Sequence, residues 1–329
     1  MRIQGHRPTS LHLKARLEQT AVDQDIIRFG RFLENHGHRM VLATAGGDGV
    51  RLAEAWKLDH EVVSFARPGL LSGWRSRGRL SDLLDRWHPV VVQAHDGETL
   101  KAAVGSLPHE MVLIANLDTS PDVLNSLEPR LIEACRHILV PTHFDADELI
   151  EHDVVPAAKI RVVRPTVDMR EFDPSGVSGS RITALAERWR IDVDRRVILM
   201  PAPIRPGHGH ANLIEALARL ERHDFHLVML GDHAAGDSFA KDLENRAGQA
   251  GLGDCLRFMN DCDDMTAAYA LAELVIFLPD SAHPLPRRAL EAQAMGKPVI
   301  LTAVGATHEL TMPATTGWLV AKGDAAELD

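Results

Sequence analysis

Aromatic residues are scarce in this chain: Phe, Trp and Tyr make up 5% of 329 residues, and there is a single tyrosine. Cysteine is scarcer. Cys135, Cys255 and Cys262 stand far apart, with no CxxC pair and no even-numbered framework. That excludes a disulfide-stapled scaffold and reads as reduced thiols. No stretch approaches about 18 uninterrupted apolar residues, so no membrane-spanning helix is expected. The N-terminus, MRIQGHRPTSLHLKAR, lacks the apolar core of a secretory signal. A cytoplasmic protein is therefore expected. Positive charge is also in deficit: 36 Lys and Arg against 46 Asp and Glu give a net -10, a poor match for nucleic acid.

The common chemical signatures are missing too. There is no GxGxxG after a strand and no GxxxxGK(S/T), which argues against a dinucleotide dehydrogenase and a P-loop phosphotransferase. The nearest approach to GxSxG, Ser175-Gly-Val-Ser-Gly179, falls in a linker, so a serine hydrolase is unsupported. Histidine is abundant, with 18 residues, and invites a metal reading. Yet HExxH is absent, and the pairs His36/His38, His208/His210 and His223/His226 lack zinc spacings and neighbouring cysteines. They read as surface or loop histidines, and no metal or cofactor is expected. A metal-dependent hydrolase remains a remote alternative that chelator insensitivity would remove.

What is present is 45% hydrophobic and 25% charged residues, enough apolar material for about two domains with full cores. Short apolar runs alternate with amphipathic stretches. Strands are predicted at Met40–Thr44, Glu61–Phe65, Val90–Gln93, Met111–Asn116, Ile138–Val140 and Ile160–Val163. A helix with Ile26, Ile27, Phe29 and Leu33 on its apolar face precedes a stop at Gly37. The Pro-, Gly- and Ser-rich stretch Val167–Arg181 is the best linker. Beyond it the alternation restarts, with strands at Val197–Met200, His226–Leu230, Leu256–Met259, Leu274–Leu278 and Pro298–Leu301. Helices are predicted at Ala211–Leu220, Asp237–Ala250, Met265–Ala272 and Arg287–Met295. Such alternation implies two α/β halves, each with a parallel sheet covered on both faces, split near residues 168–185. A ligand is then expected at the carboxyl ends of the strands, facing a cleft between the halves. The closing Gly323-Asp-Ala-Ala-Glu-Leu-Asp329 looks like the cap and first turn of a helix that does not follow.

The most informative strings lie in the second half. Cys262-Asp-Asp-Met265 leads into Ala267-Ala-Tyr269. Ala289-Leu-Glu-Ala-Gln-Ala-Met-Gly-Lys-Pro-Val-Ile300 follows, then Thr316-Gly-Trp-Leu-Val320 and Gly323-Asp324. These strings, in this order, resemble the donor domain of the family-4 glycosyltransferases of the GT-B fold, particularly the branch that builds bacterial surface polysaccharide. Asn35-His-Gly-His-Arg39, Thr44-Ala-Gly-Gly47 and Glu171-Phe-Asp-Pro174 resemble that family's first helix end, second strand and interdomain junction.

The resemblance implies two Rossmann-like domains, residues 1–170 on the acceptor side and 171–329 on the nucleotide-sugar donor side. It implies retaining transfer of a hexose from a UDP- or GDP-linked donor to a glycan or lipid-linked acceptor, without a metal. Carried over residue by residue, Glu291 matches the carboxylate that holds the ribose, and the helix from Arg287 would aim its N-terminus at the diphosphate. The base would lie near Met259 and Met265. Other positions depart from the pattern. The family's Arg and Lys fall on Pro203 and His208, and its first Glu falls on His283. Its acceptor-loop Gly-Gly falls on Thr20-Ala21, and a family histidine falls on Asn116. Arg205 and Arg287 are candidate replacement cations. These departures leave two readings open: an active transferase, or a non-catalytic relative that binds nucleotide sugar or glycan or regulates an active paralogue. His208 and His283 predict weak diphosphate binding at neutral pH that tightens through the histidine range. Arg67, Arg75, Arg77 and Arg79 around Trp74 form a basic patch, read as a solvated helix face or a peripheral membrane contact.

Overall fold

The computed structural model describes residues 7–18, 20–65, 72–125, 127–192, 194–234, 236–260, 262–283 and 285–328. The chain separates into two compact units, one ending at Arg164 and the next beginning at Pro165. Among the described residues no helix is long and apolar enough to cross a membrane.

The first unit is built on β1 (Thr9–Lys14), β2 (Arg39–Thr44), β3 (Asp59–Val62), β4 (Val91–Ala94), β5 (Leu113–Asn116), β6 (His137–Val140) and β7 (Ile160–Val162). They form one parallel sheet in the order β3-β2-β1-β4-β5-β6-β7. Its helices are α1 (Ala21–Asn35), α2 (Val50–Ala55), α3 (Ser72–Trp87), α4 (Gly97–Val104), α5 (Pro121–Leu124), α6 (Pro129–Ala134) and α7 (His143–Glu151). The second unit repeats the plan. Strands β8 (Arg196–Met200), β9 (Phe225–Leu230), β10 (Leu256–Met259), β11 (Leu274–Phe277), β12 (Val299–Thr302) and β13 (Gly317–Val320) take the order β10-β9-β8-β11-β12-β13. With them go α8 (Gly179–Trp189), α9 (His210–Arg219), α10 (Ser238–Gln249), α11 (Met265–Leu271) and α12 (Arg288–Ala294). Both sheets reverse strand order beside their first strand, so each has a topological switch point where ligands of such folds bind.

Several expectations need correction. The central strand β1 is absent from the strands predicted above, because only Leu11 and Leu13 mark it as apolar between Ser10, His12 and Lys14. Both leucines are fully buried in the main core with Val92, Ala94 and Ile138. His12, on the opposite face, is buried as well, which a simple alternation rule reads as solvent. The strand expected at Glu61–Phe65 ends at Val62, although Val63 still donates to the Thr44 carbonyl. Within the expected linker, Phe172 is buried in the second unit's core and α8 already begins at Gly179. The Gly317–Val320 segment, absent from the strands predicted above, is the edge strand β13.

Helix α1 also turns differently. Phe29 is 44% exposed, whereas Ile26 and Ile27 are buried against Met40, Leu42 and Leu58. Gly30 explains this: a Cβ there would stand 2.7 Å from Met40 Sδ, so the helix approaches β2 along its Ile26–Ile27–Gly30 side. That rotation swings Phe29 aside, where its ring edge meets His12 at 6.0 Å.

The α1-side face of β1, β4 and β5 is only partly apolar. Gln93 Nε2 donates to Asn116 Oδ1 (2.8 Å), and Asn116 Nδ2 reaches His95 Nδ1 (3.1 Å). His95 Nε2 then meets His12 Nδ1 (2.9 Å), and His12 Nε2 meets Ser10 Oγ (3.0 Å). Read from Gln93, the donors run in one direction only if both imidazoles are neutral with the proton on Nε2. A further proton on either ring would set donor against donor. Burial agrees: it lowers His12 to about 4 and His95 well below its ordinary value, with His12 and Lys14 adding to the effect on His95. The unfolded chain thus binds more protons than the folded one below the free value of 6.5. The stability that this network contributes should be complete above pH 6.5 and fall progressively towards pH 4. Hydrogen exchange at the β1 and β4 amides, followed from pH 7.5 to 5 after correction for intrinsic rates, measures it. Protection that is flat over that range would rule the argument out.

Candidate functional site at the carboxyl ends of the second sheet

The loop after β8 runs Pro201-Ala-Pro-Ile-Arg-Pro-Gly-His-Gly209 and delivers the chain into α9. Its path depends on two glycines. Gly209 caps α9 with φ +74°, and a Cβ there would lie 2.4 Å from the Cβ of Leu278, just past β11. Gly207 accepts a hydrogen bond from the Asp280 amide at 2.9 Å. The loops after β8 and β11 are therefore joined, and Arg205, His208, Asp280 and His283 stand on adjoining segments.

Arg205 is exposed, and its Nε donates to His208 Nε2 at 3.4 Å. His208 is half-buried. Burial first, and Arg205 second, hold its pKa below the ordinary histidine value, while Asp280 pulls the other way. The titration expected at the free histidine value is thereby displaced to lower pH. His210, at the first position of α9, is buried. Its ring stands edge-on to His208 at 6.2 Å and to Phe239 at 6.1 Å. Burial pushes it to about 4, helped by His208 and opposed by the Ala202 carbonyl. The surface-or-loop reading of the histidine pairs fails here, and again at His226. That residue lies fully buried on β9 and accepts the Asp192 amide at 3.1 Å.

The β11–α12 segment corrects a second expectation. Helix α12 begins at Arg288, one residue late, and is short. The amides of Arg287, Ala289 and Leu290 donate to Leu285, Pro286 and Arg287 carbonyls at 2.8–3.0 Å. Those three donors close local turns, and Pro286 has none. Glu291 sits in the first turn of α12, and its Oε2 accepts a 2.9 Å hydrogen bond from the hydroxyl of Tyr269 on α11. Tyr269 is fully buried, and burial and then Glu291 keep its pKa well above the ordinary value, so the phenol stays protonated and donates. Met259 ends β10, half-buried, and its carbonyl accepts from the Gly231 amide at 2.9 Å. Met265, also half-buried, opens α11.

One fastening was not expected from the sequence. Arg181 on α8 grips Asp264 with two hydrogen bonds, Nε to Oδ2 at 2.8 Å and Nη2 to Oδ1 at 2.6 Å. Asp264 also caps α11 by accepting from the Ala267 amide at 3.0 Å. The Arg181 contacts are the main reason its carboxyl is held down to about 2. An Asp before a helical run signals the cap, but nothing local signals an arginine 83 residues away.

In the first unit, Thr20 caps α1. It accepts from the Asp23 amide at 3.2 Å and donates to Asp23 Oδ2 at 2.8 Å, and Ala21 is the first helical residue. Asp23 is buried beside Lys14, whose Nζ lies 3.9 Å from Asp23 and 3.5 Å from Asp96. Asn116 belongs to the histidine network described above. Arg67 and the side chains of Trp74, Arg75 and Arg77 lie outside the described residues, and Arg79 is exposed. Among the described residues, no three His, Cys, Asp or Glu side chains converge as metal ligands.

Comparison with known proteins agrees with this architecture. Residues 182–329 match the family described as Glycosyl transferases group 1, and residues 24–171 match Glycosyltransferase Family 4. D-inositol 3-phosphate glycosyltransferase of Geodermatophilus obscurus is 28% identical over 268 residues, 78% of this chain and 54% of the relative. The protein of the same name from Mycolicibacterium vanbaalenii is 27% identical over 248 residues, 72% of this chain and 52% of the relative. The chain thus spans about half the length of the curated relatives it matches. Among solved structures, a glycosyltransferase from Rickettsia africae superposes with TM-score 0.87 at 18% identity, covering 98% of this chain and 86% of its own. Anabaena HepE in complex with UDP and glucose gives 0.81 at 19%, covering 98% and 88%.

Proposed function

We propose, for a chain that belongs to the family-4 glycosyltransferases, that its second unit binds a nucleoside diphosphate-sugar at the carboxyl ends of β8, β10 and β11. The observation that carries this is the Gly207–Asp280 bond, which sets the cationic loop after β8 beside the segment leading to Glu291. In this reading Glu291 accepts the ribose hydroxyls, and the base lies against Met259 and Met265. Arg205, Arg287 and a protonated His208 face the diphosphate, where charge grows as the glycosidic bond breaks. Transfer of a hexose with retention follows from the donor's own phosphate oxygen taking the proton of the incoming hydroxyl. The bond from the anomeric carbon to phosphate oxygen breaks, and a bond to the acceptor oxygen forms on the same face. The acceptor, a glycan or a lipid-linked sugar, falls to the first unit near Thr20, Ala21 and Asn116. Contact with the cytoplasmic face of a membrane is part of the same proposal.

Binding without transfer is a second reading, favoured by specific departures. Pro203 carries no cation, His283 stands where the resembling family has a carboxylate, and Pro286 before α12 has no amide to offer. Calorimetric titration with UDP, GDP and ADP at neutral pH tests the site: binding of at least one is expected, and none binding overturns the proposal. Binding with no product from a nucleotide sugar selects the second reading. If His208→Lys combined with His283→Glu then creates turnover, the site is a catalytic one in decay.

A further inference from the structure

The single tyrosine of the chain lies in the interior, in a contact that packing does not require. Tyr269 is fully buried on α11, its ring 6.2 Å from Phe172, and a phenylalanine would fill the same volume. Its hydroxyl has one proton and two acceptors in reach, Glu291 Oε2 at 2.9 Å and the Arg288 carbonyl at 3.4 Å. The shorter bond, to the carboxylate, is the stronger.

We propose that Tyr269 is the positioning residue for Glu291, fixing the carboxylate in the orientation that takes the vicinal hydroxyls of a ribose. This rests on the reading of Glu291 given above. A glutamate side chain turns about three bonds, and an unanchored one must be ordered each time a ligand arrives. A rigid phenol with only two torsions removes most of that cost. The anchor is itself fixed, because α11 is capped by Asp264 and gripped there by Arg181. A carboxylate has roughly four acceptor positions, so it accepts from more than one partner at a time.

The test is ribose recognition, measured by calorimetry with UDP and GDP and with their 2'-deoxy counterparts. The unaltered protein should prefer the ribonucleotide by roughly tenfold, the worth of one or two hydrogen bonds to a charged group. Tyr269→Phe should weaken the ribonucleotide roughly threefold to tenfold and leave the deoxynucleotide unchanged, so that discrimination collapses. Glu291→Gln should do the same, and the double variant should be no weaker than Glu291→Gln alone. Thermal unfolding of each variant shows whether the fold is intact. If Tyr269→Phe keeps the full preference, or weakens both ligands equally, the positioning role is wrong while the ribose reading stands. If the unaltered protein binds neither nucleotide, or shows no preference, the reading of Glu291 fails and the inference goes with it.

Discussion

Gly231→Ala should destabilise the second unit by at least about 4 kcal/mol and abolish nucleotide binding. Gly231 follows β9, where the backbone runs against the loop after β8. A Cβ at this position would stand 2.1 Å from the Ala202 carbonyl oxygen, 2.7 Å from its carbon and 2.8 Å from Pro203 Cα. All three obstacles are backbone, so no side-chain rotation relieves them. Neither strand can withdraw: Ile204 is buried and its amide reaches the Asp232 carbonyl, while the Gly231 amide holds the Met259 carbonyl. The residues forced to move are Ala202 to Arg205, the segment that presents the candidate cation. Gly248, exposed on α10, is the matching control, because a Cβ there meets nothing within 4 Å. Gly248→Ala should stabilise by about 0.5–1 kcal/mol through helix propensity alone. Denaturant unfolding of the two variants decides the point. A Gly231→Ala midpoint close to that of the unaltered protein would refute the close-approach argument.

The difference between these two glycines shows where a sequence is legible and where it is not. Alternating apolar runs and helical periodicity are local patterns, and they locate most strands and helices to within a residue or two. Helix α9 begins at His210 where Ala211 was expected, and α11 covers Met265–Leu271 within the predicted Met265–Ala272. Nothing local distinguishes Gly231 from Gly248, because the first is pressed against a distant loop that the second never approaches. The same limit hid β1, whose apolar signal is two leucines, and whose His12 is paired with a histidine 83 residues away. It hid the Arg181–Asp264 grip as well.

The candidate site divides in the same way. The string around Glu291 marks the residue, but its partner Tyr269 lies 22 residues earlier on another helix. The expectation that α12 aims its N-terminus at a diphosphate comes from the family resemblance, which carries no local geometry of its own. Pro286 has no amide to offer, and those of Arg287, Ala289 and Leu290 close local turns at this helix start. Burial is the other quantity a sequence conceals. His210 and His226 are as polar as His36, yet both are enclosed, and enclosure is what lowers their proton affinity.

Binding of a nucleotide sugar should tighten by roughly tenfold or more between pH 8 and pH 5.5, with most of the increase below neutrality. The groups facing His208 set the direction. Arg205 on the same loop and the half-buried setting disfavour the imidazolium, Asp280 beyond β11 favours it, and His210 is held neutral with its value near 4. In the free protein His208 is therefore mostly neutral at pH 7, with Nε2 accepting from Arg205. A diphosphate brought to this loop adds negative charge beside the ring, so the complex holds the proton to higher pH than the free protein does. By linkage, affinity rises as pH falls through the pKa of the complex and levels off below that of the free protein. A charge-assisted hydrogen bond from the imidazolium to phosphate is worth about 1.5–3 kcal/mol, which sets the tenfold scale. UDP-glucose is the appropriate probe, because its diphosphate diester does not itself titrate in this range. His208→Lys carries its charge throughout, so that variant should bind tightly with little change from pH 8 to pH 5.5. A pH profile of the unaltered protein as flat as that of His208→Lys would sink the proposal, and would leave Arg205 and Arg287 as the cations that hold the phosphate.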